Sequence, residues 1–335
     1  MTARLLTNRF RSAVAAWNRF WFTPADPATL AAVRICNGLI LLCSYLACTP
    51  SLLSFVGPNA WIDGAALDQL RSNAGANGPW WGWSIYFFVQ QPWMIWLTHL
   101  AFLAAILCFT CGLFTRVASI AVWAGHLCFL HRAFLVWSGM DSVLAMLTFY
   151  LMFSPAGHAL SVDHLRRRRS GRDGPAKPSW SANVVIRLIQ IHMGIIYLCA
   201  GLSKLQGARW WDGTAVWTVM TMQEFAPFDV TWLGNLGDIP CLLISNVGVL
   251  LTLGFEIGFI FLVWNRKVRP YLLSLAVLLH AGIGLFMGMS AFGAAMLAGC
   301  LAFVEPSAVR RLVELARLKF SLPIIKGAKV RRRAA

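Results

Sequence analysis

Eleven ionisable side chains stand inside stretches of sequence that are otherwise oily: Arg34, His99, His126, His131, Arg132, Asp141, Arg187, His192, Lys204, Glu256 and His280. A charge held at bilayer depth costs on the order of a few kcal/mol, so each should face a partner, a cavity or the water boundary. Lys204 is the most informative of them. At 100° per residue, Gln190, Gly194, Tyr197, Gly201 and Lys204 fall within a sector of about 80° on one helix, with His192 on the opposite side. Two readings fit that polar and small stripe. It is a packing seam, in which the glycines admit a neighbouring helix and Lys204 snorkels to the interface; or it is a cavity wall, where a partly desolvated lysine serves as a base.

Other groups suggest pairs. Arg132 and Asp141 flank one turn and are expected to form an ion pair near the membrane surface, beside His131 and Trp137. Glu256 and His280 lie in neighbouring apolar stretches, where a mutual hydrogen bond or a ligand contact would explain both. Ser161-Val-Asp163 reads as a helix cap or loop-fixing turn before the Arg166–Arg169 run. Cys108-Phe-Thr-Cys111 has redox or metal spacing, but no second Cys/His pair completes a metal set, so no metal site is expected. Phosphate-loop, HExxH and GxSxG patterns are missing, which argues against ATP-driven pumping and zinc proteolysis.

These residues need a scaffold, and composition names it. Of 335 residues 58% are hydrophobic and 13% charged, far from the soluble norm. The fold class is all-α: a polytopic helical membrane protein. Apolar stretches over 28–49, 93–111, 117–137, 140–155, 183–205, 241–264, 270–288 and 290–304 give about eight spans of membrane length. Of the 29 Lys and Arg residues, 23 fall in alternate loops and at the two ends, which places both termini in the cytoplasm. The net charge of +16 is therefore a topology signal, and nucleic acid is not expected as a partner. The chain divides into a basic N-terminal segment at 1–27, a transmembrane domain at 28–305 with a cytoplasmic linker near 164–181, and a basic tail at 306–335. The first apolar stretch reads as an anchor rather than a cleaved leader. Arg331–Arg333 invite anionic lipid or a solvated retention role. Two long outer segments, about 50–92 and 206–240, are rich in tryptophan, as in interfacial anchoring or in loops folded over a cavity mouth.

Certain segments, in order and spacing, carry a resemblance. They are Cys111-Gly-Leu-Phe-Thr-Arg116, Phe153 through Gly157-His158 to Ser161-Val-Asp163, Ala200-Gly-Leu-Ser-Lys204-Leu205 leading to Trp210, and His280 with Gly288-Met289. Through them the chain resembles the HTTM (horizontally transferred transmembrane) family and the transmembrane core of the vitamin K-dependent gamma-carboxylase. The resemblance implies that Lys204 is the base that deprotonates a reduced, vitamin K-like quinone. It also implies a ligand site drawn from Tyr197, His280, Glu256 and His158. The family enzyme's second catalytic residue, a histidine, corresponds here to about Met140 or Asp141, so Asp141 is the ionisable group at that turn. The enzyme's large lumenal substrate domain has no counterpart in this chain.

Three expectations follow for a multi-pass protein of the cell membrane. It is a quinol-binding enzyme with Lys204 as base, or a non-catalytic membrane partner in peptide maturation or export similar to the sporulation-delaying protein B family. The third is a transporter using Glu256 and His280 as proton-coupled groups. Its surroundings would be the lipid bilayer and a peptide or membrane-protein partner.

Overall fold

The computed structural model describes residues 2–64, 66–69, 72, 82–171, 174, 176–222 and 227–315, with side chains from residue 8 onward. Arg331–Arg333, and parts of the two tryptophan-rich outer segments and of the linker near 164–181, lie outside the described residues. Among the described residues the fold is helical: α1 Thr2–Phe22, α2 Ala28–Cys48, α3 Pro92–Cys111, α4 Thr115–Arg132, α5 Gly139–Met152, α6 Val162–Arg169, α7 Trp180–Lys204, α8 Asp238–Leu262, α9 Arg269–Phe286 and α10 Ser290–Cys300, then α11 Pro306–Leu315. Prolines open several of them, Pro92 in α3, Pro270 in α9 and Pro306 in α11, at the position where a missing N–H is harmless. Ser179 caps α7 by accepting the Ala182 N–H, and Ser138 and Asp141 form a capping box at the start of α5.

Helices α2 to α5 pack as one lobe and α7 to α10 as a second, with α10 lodged against α2, α5, α7 and α9. The core is mostly apolar but also holds polar groups, and the outer face is apolar too. Arg34, Asn37, His99, His126, Gln190 and His280 are buried, while Leu100, Leu250, Phe261 and Leu278 point outward. That arrangement suits a hydrocarbon surround, where polar groups must find partners inside the protein.

Five helical segments are long and apolar enough to cross a membrane: Ala28–Val56, α3, α7, α8 and α9. α10 and α11 meet the test only as a pair bent by 115°. The stretches expected at 117–137 and 140–155 do become helices, but α4 is diluted by Arg116, His126, His131 and Arg132, and α5 has only 14 residues.

A clasp locks the end of the bundle where α2 begins. The buried Arg34 donates to the carbonyls of Ala156 at 3.0 Å and Leu160 at 2.6 Å. Gly112 ends α3 at φ 70°, and a Cβ there would collide with the Arg34 guanidinium and with Ser161. Asp163 accepts the N–H groups of Phe114 and Thr115 at 3.0 and 2.8 Å and the Thr115 hydroxyl at 2.7 Å. Its own N–H returns to the Gly112 carbonyl at 3.0 Å. Phe114 and Leu160 both hold positive φ, 47° and 45°, a strain that survives only where neighbours over-determine the backbone. Ser161 caps α6 by accepting the His164 N–H, so the cap expected from Ser161-Val-Asp163 is present.

Burial pushes the Asp163 carboxyl up, but the hydrogen bonds from Thr115 and Phe114, with the Arg167 charge, outweigh it and hold its pKa below the ordinary 3.8. A depressed carboxylate contributes stability that is complete above its unfolded pKa and lost as pH falls through the folded one. Asp163→Asn should therefore lower thermal stability in detergent at neutral pH by about 2 kcal/mol. The gap between variant and native should close below about pH 4. A gap that is independent of pH would show that the carboxylate charge is not what holds the turn.

Candidate functional site

The stripe on α7 meets α8. A Cβ on Gly194 would press on Ile260, and one on Gly201 would press on Ile257 and on Glu256 Cβ at 3.1 Å. The two glycines thus set the approach of the helices, as the seam reading expects. The same approach also delivers Glu256 to Lys204: Nζ donates to Oε1 at 2.8 Å, with the two side chains 27% and 14% exposed. The seam and the polar site are one structure.

About two turns back along α7, the buried Tyr197 hydroxyl shares a hydrogen bond with His280 Nε2 at 2.8 Å and lies 3.3 Å from Cys300 Sγ. Phe255 and Phe259 from α8 wall the tyrosine ring, at centroid distances of 4.9 and 4.7 Å. Trp210, just past α7, places its ring 5.5 Å from Lys204 Nζ, close enough for a cation–π contact. Two buried atoms in this cluster have no protein partner, Glu256 Oε2 and His280 Nδ1. Buried polar atoms in native proteins are nearly always satisfied, so these two point to water or to a ligand.

Of the residues singled out from sequence, Lys204, Glu256, Tyr197 and His280 converge here. The pairing differs from expectation: Glu256 bonds Lys204 and His280 bonds Tyr197, because the α7 stripe faces both helices. Cys300, Phe255 and Phe259 were not singled out, since the interhelical register that gathers them leaves no local sequence signal; Trp210 was marked only by its place after the Lys204 segment. Asp141 stands in another element. Its carboxylate accepts from the Ser138 N–H at 2.9 Å and hydroxyl at 2.7 Å, and its carbonyl meets His126 Nε2 at 3.1 Å. The expected Arg132–Asp141 ion pair does not form, because Arg132 donates instead to the carbonyls of Gly57 and Ile62 at 2.7 and 3.1 Å. Phe292 links the two regions, lying beside Gly139 at the head of α5 and 6.0 Å from the His280 ring. His158 sits in the turn after α5 beside the Arg34 clasp, at the end where α7 begins, whereas Lys204 closes α7.

A cavity of about 150 Å³ at the far end of α2 is lined by residues that include Gly57, Leu67, Asp68, Tyr86, Gln90 and Arg132, away from the partly exposed Lys204 and Glu256 side chains.

The ion pair can be weighed directly. A double-mutant cycle of Lys204→Met and Glu256→Gln, read by thermal unfolding in detergent, should give a coupling of about 1–3 kcal/mol. Additive effects would mean that the contact carries no energy.

No curated protein matches the chain, and no solved structure does. A family model described as the HTTM domain matches residues 22–307, most of the 335. That match covers both helical lobes, the clasp and the Lys204 cluster, and the chain belongs to the HTTM domain family.

Proposed function

We propose that this HTTM protein is an eight-span protein of the cell membrane with both termini cytoplasmic, and that its α7–α8 cluster binds a reduced quinone-like molecule with Lys204 as the proton acceptor. The topology rests on basic residues at alternate loops, and on α4, α5 and α10 completing the count beside the five longer spans. The domain limits follow it: a basic segment over 1–27, the membrane domain over 28–305 with its linker at about 164–181, and the basic tail over 306–335.

The observation that carries the ligand reading is the pair of partnerless atoms, Glu256 Oε2 and His280 Nδ1, beside the Lys204 ammonium and an aromatic wall. A planar, mostly apolar molecule with polar edges fits that lining. Such a quinol supplies a weakly acidic hydroxyl and, once ionised, a ring that oxygen can oxidise. The chain's own part is proton placement. An ammonium in contact with a carboxylate is an acid, so Lys204 must first surrender its proton. Covering the pair with an apolar ring removes water, and desolvation disfavours two separate charges. The proton then passes along the 2.8 Å contact from Nζ to Glu256 Oε1, leaving a neutral amine able to accept one. Tyr197 and His280 orient the ligand's other edge, and Asp141, held at the head of α5 by Ser138, takes no part in this cluster.

A second reading follows from the position of the 150 Å³ cavity, which lies at Arg132 rather than Lys204. On that reading the bundle is a non-catalytic partner of a peptide or membrane protein that meets the outer loops.

The discriminating experiment mixes the purified protein in nanodiscs with a reduced naphthoquinone and oxygen and follows the epoxide by chromatography. The native protein should form it, Lys204→Ala should lose at least about 100-fold, and Glu256→Gln should also fall. Absence of epoxide from the native protein across several quinols would remove this reading and favour the partner role.

A further inference from the structure

Among the described residues, helix α1 is left without a packing partner over residues 8–19. Residues 8–19 are exposed apart from Ala15, and three large apolar side chains face outward: Phe10 at 70%, Val14 at 41% and Trp17 at 61% exposure. Their spacing of four and three residues puts them on one face. Arg11, Ser12 and Arg19 fall on the other sides of the helix, with Arg9 on the flank, and α1 contains no acidic residue. A 21-residue helix of this kind is marginal alone in water, and the exposed phenylalanine and tryptophan add to that burden.

Only the last turn of α1 is fixed. Asn183 donates to the carbonyls of Phe20 and Trp21 at 2.7 and 2.9 Å. Arg187 donates to the Phe20 carbonyl and stacks its guanidinium 4.5 Å from the Phe20 ring. The Ala25–Ser179 bridge and the Asp26–Arg310 ion pair at 2.6 Å tie the following turn to the heads of α7 and α11. The helix is therefore pinned at the end of the bundle where α2 and α7 begin, which is the boundary between hydrocarbon and water. At that same end α11 exposes Leu312 and Leu315 beside Arg310 and Arg311.

We infer that α1 lies in the headgroup layer of the membrane, with Phe10, Val14 and Trp17 sunk toward the acyl chains and Arg9, Arg11 and Arg19 holding anionic phospholipid. An apolar stripe bordered by arginines, without a carboxylate to repel phosphate, is complementary to an anionic bilayer surface. The hinge at Thr23–Pro27 breaks the helix before α2 and lets α1 leave the spanning direction. The inference rests on the bilayer environment alone and is independent of any chemistry at Lys204.

The test uses the full chain in nanodiscs of equal phosphatidylcholine and phosphatidylglycerol. Benzoylphenylalanine is introduced singly as Phe10→benzoylphenylalanine, Trp17→benzoylphenylalanine or Ser12→benzoylphenylalanine, and photo-adducts are identified by mass. Lipid adducts should form from positions 10 and 17 and be several-fold scarcer from position 12. Phosphatidylglycerol should exceed phosphatidylcholine among them several-fold. In the triple variant Arg9→Gln, Arg11→Gln, Arg19→Gln the ratio should fall toward one, since each arginine near an anionic surface is worth roughly a fivefold preference. Equal lipid yields at all three positions, adducts to protein from positions 10 and 17, or a native ratio near one would each overturn the inference. Both leaflets are alike in this nanodisc, so the result is unaffected by which side of the cell membrane holds the termini. Loss of epoxide formation would leave it untouched.

Discussion

Hydrocarbon offers no hydrogen bonds, so every polar group inside this bundle has to be answered by another part of the protein. Most of the architecture follows from that demand. Arg34 is spent on two carbonyls of the turn after α5, which ties α2 to α5. Asn37 donates to Thr148 at 2.8 Å, and Gln190 to the Ala302 carbonyl at 2.8 Å. Each contact joins helices distant in sequence. Three tyrosine–histidine pairs do similar work: Tyr45 with His126, Tyr150 with His192 and Tyr197 with His280. A neutral pair of this kind satisfies both partners without the desolvation penalty of an ion pair.

The same accounting separates structural histidines from available ones. His126 is bonded at both ring nitrogens, to Tyr45 and to the Asp141 carbonyl, and has nothing left to offer a ligand. His280 is bonded at Nε2 alone and stands beside a carboxylate that is also half answered. His99, with Nδ1 unpartnered, lies in the other lobe against Thr49, far from any charged pair described here. What distinguishes the α7–α8 cluster is the coincidence of incomplete satisfaction with a charge pair and an aromatic wall.

Much of this was readable from residue spacing. The stripe from Gln190 to Lys204 named the face of α7 that packs on α8, and Ser161-Val-Asp163 named the cap of α6, because both depend on the local geometry of one helix or turn. The partners were not readable. Whether Glu256 meets Lys204 or His280 depends on the relative height of α7, α8 and α9, which Gly201, Gly293 and their neighbours set through close approach rather than through any local pattern. Arg132 shows the same limit: its nearest acid in sequence is Asp141, yet carbonyls of the loop after α2 reach it first. Apolar length alone does not set the span count. α4 and α5 fall short as isolated spans, one through its polar residues and the other through its length, and only packing inside a lobe accounts for them.

On the proposed reading, anchor and base are two states of one contact at Lys204. With water present, the lysine simply fastens α7 to α8 through its contact with Glu256. With water expelled by an apolar ring, the neutral pair gains ground, and the amine acquires the lone pair that a base requires. Gly201 matters to both states, since a larger residue there would separate the helices and leave a lysine and a glutamate each unanswered at the edge of the membrane. On the proposed reading, the close α7–α8 approach at Gly201, which brings Glu256 to 2.8 Å from Lys204, serves both states.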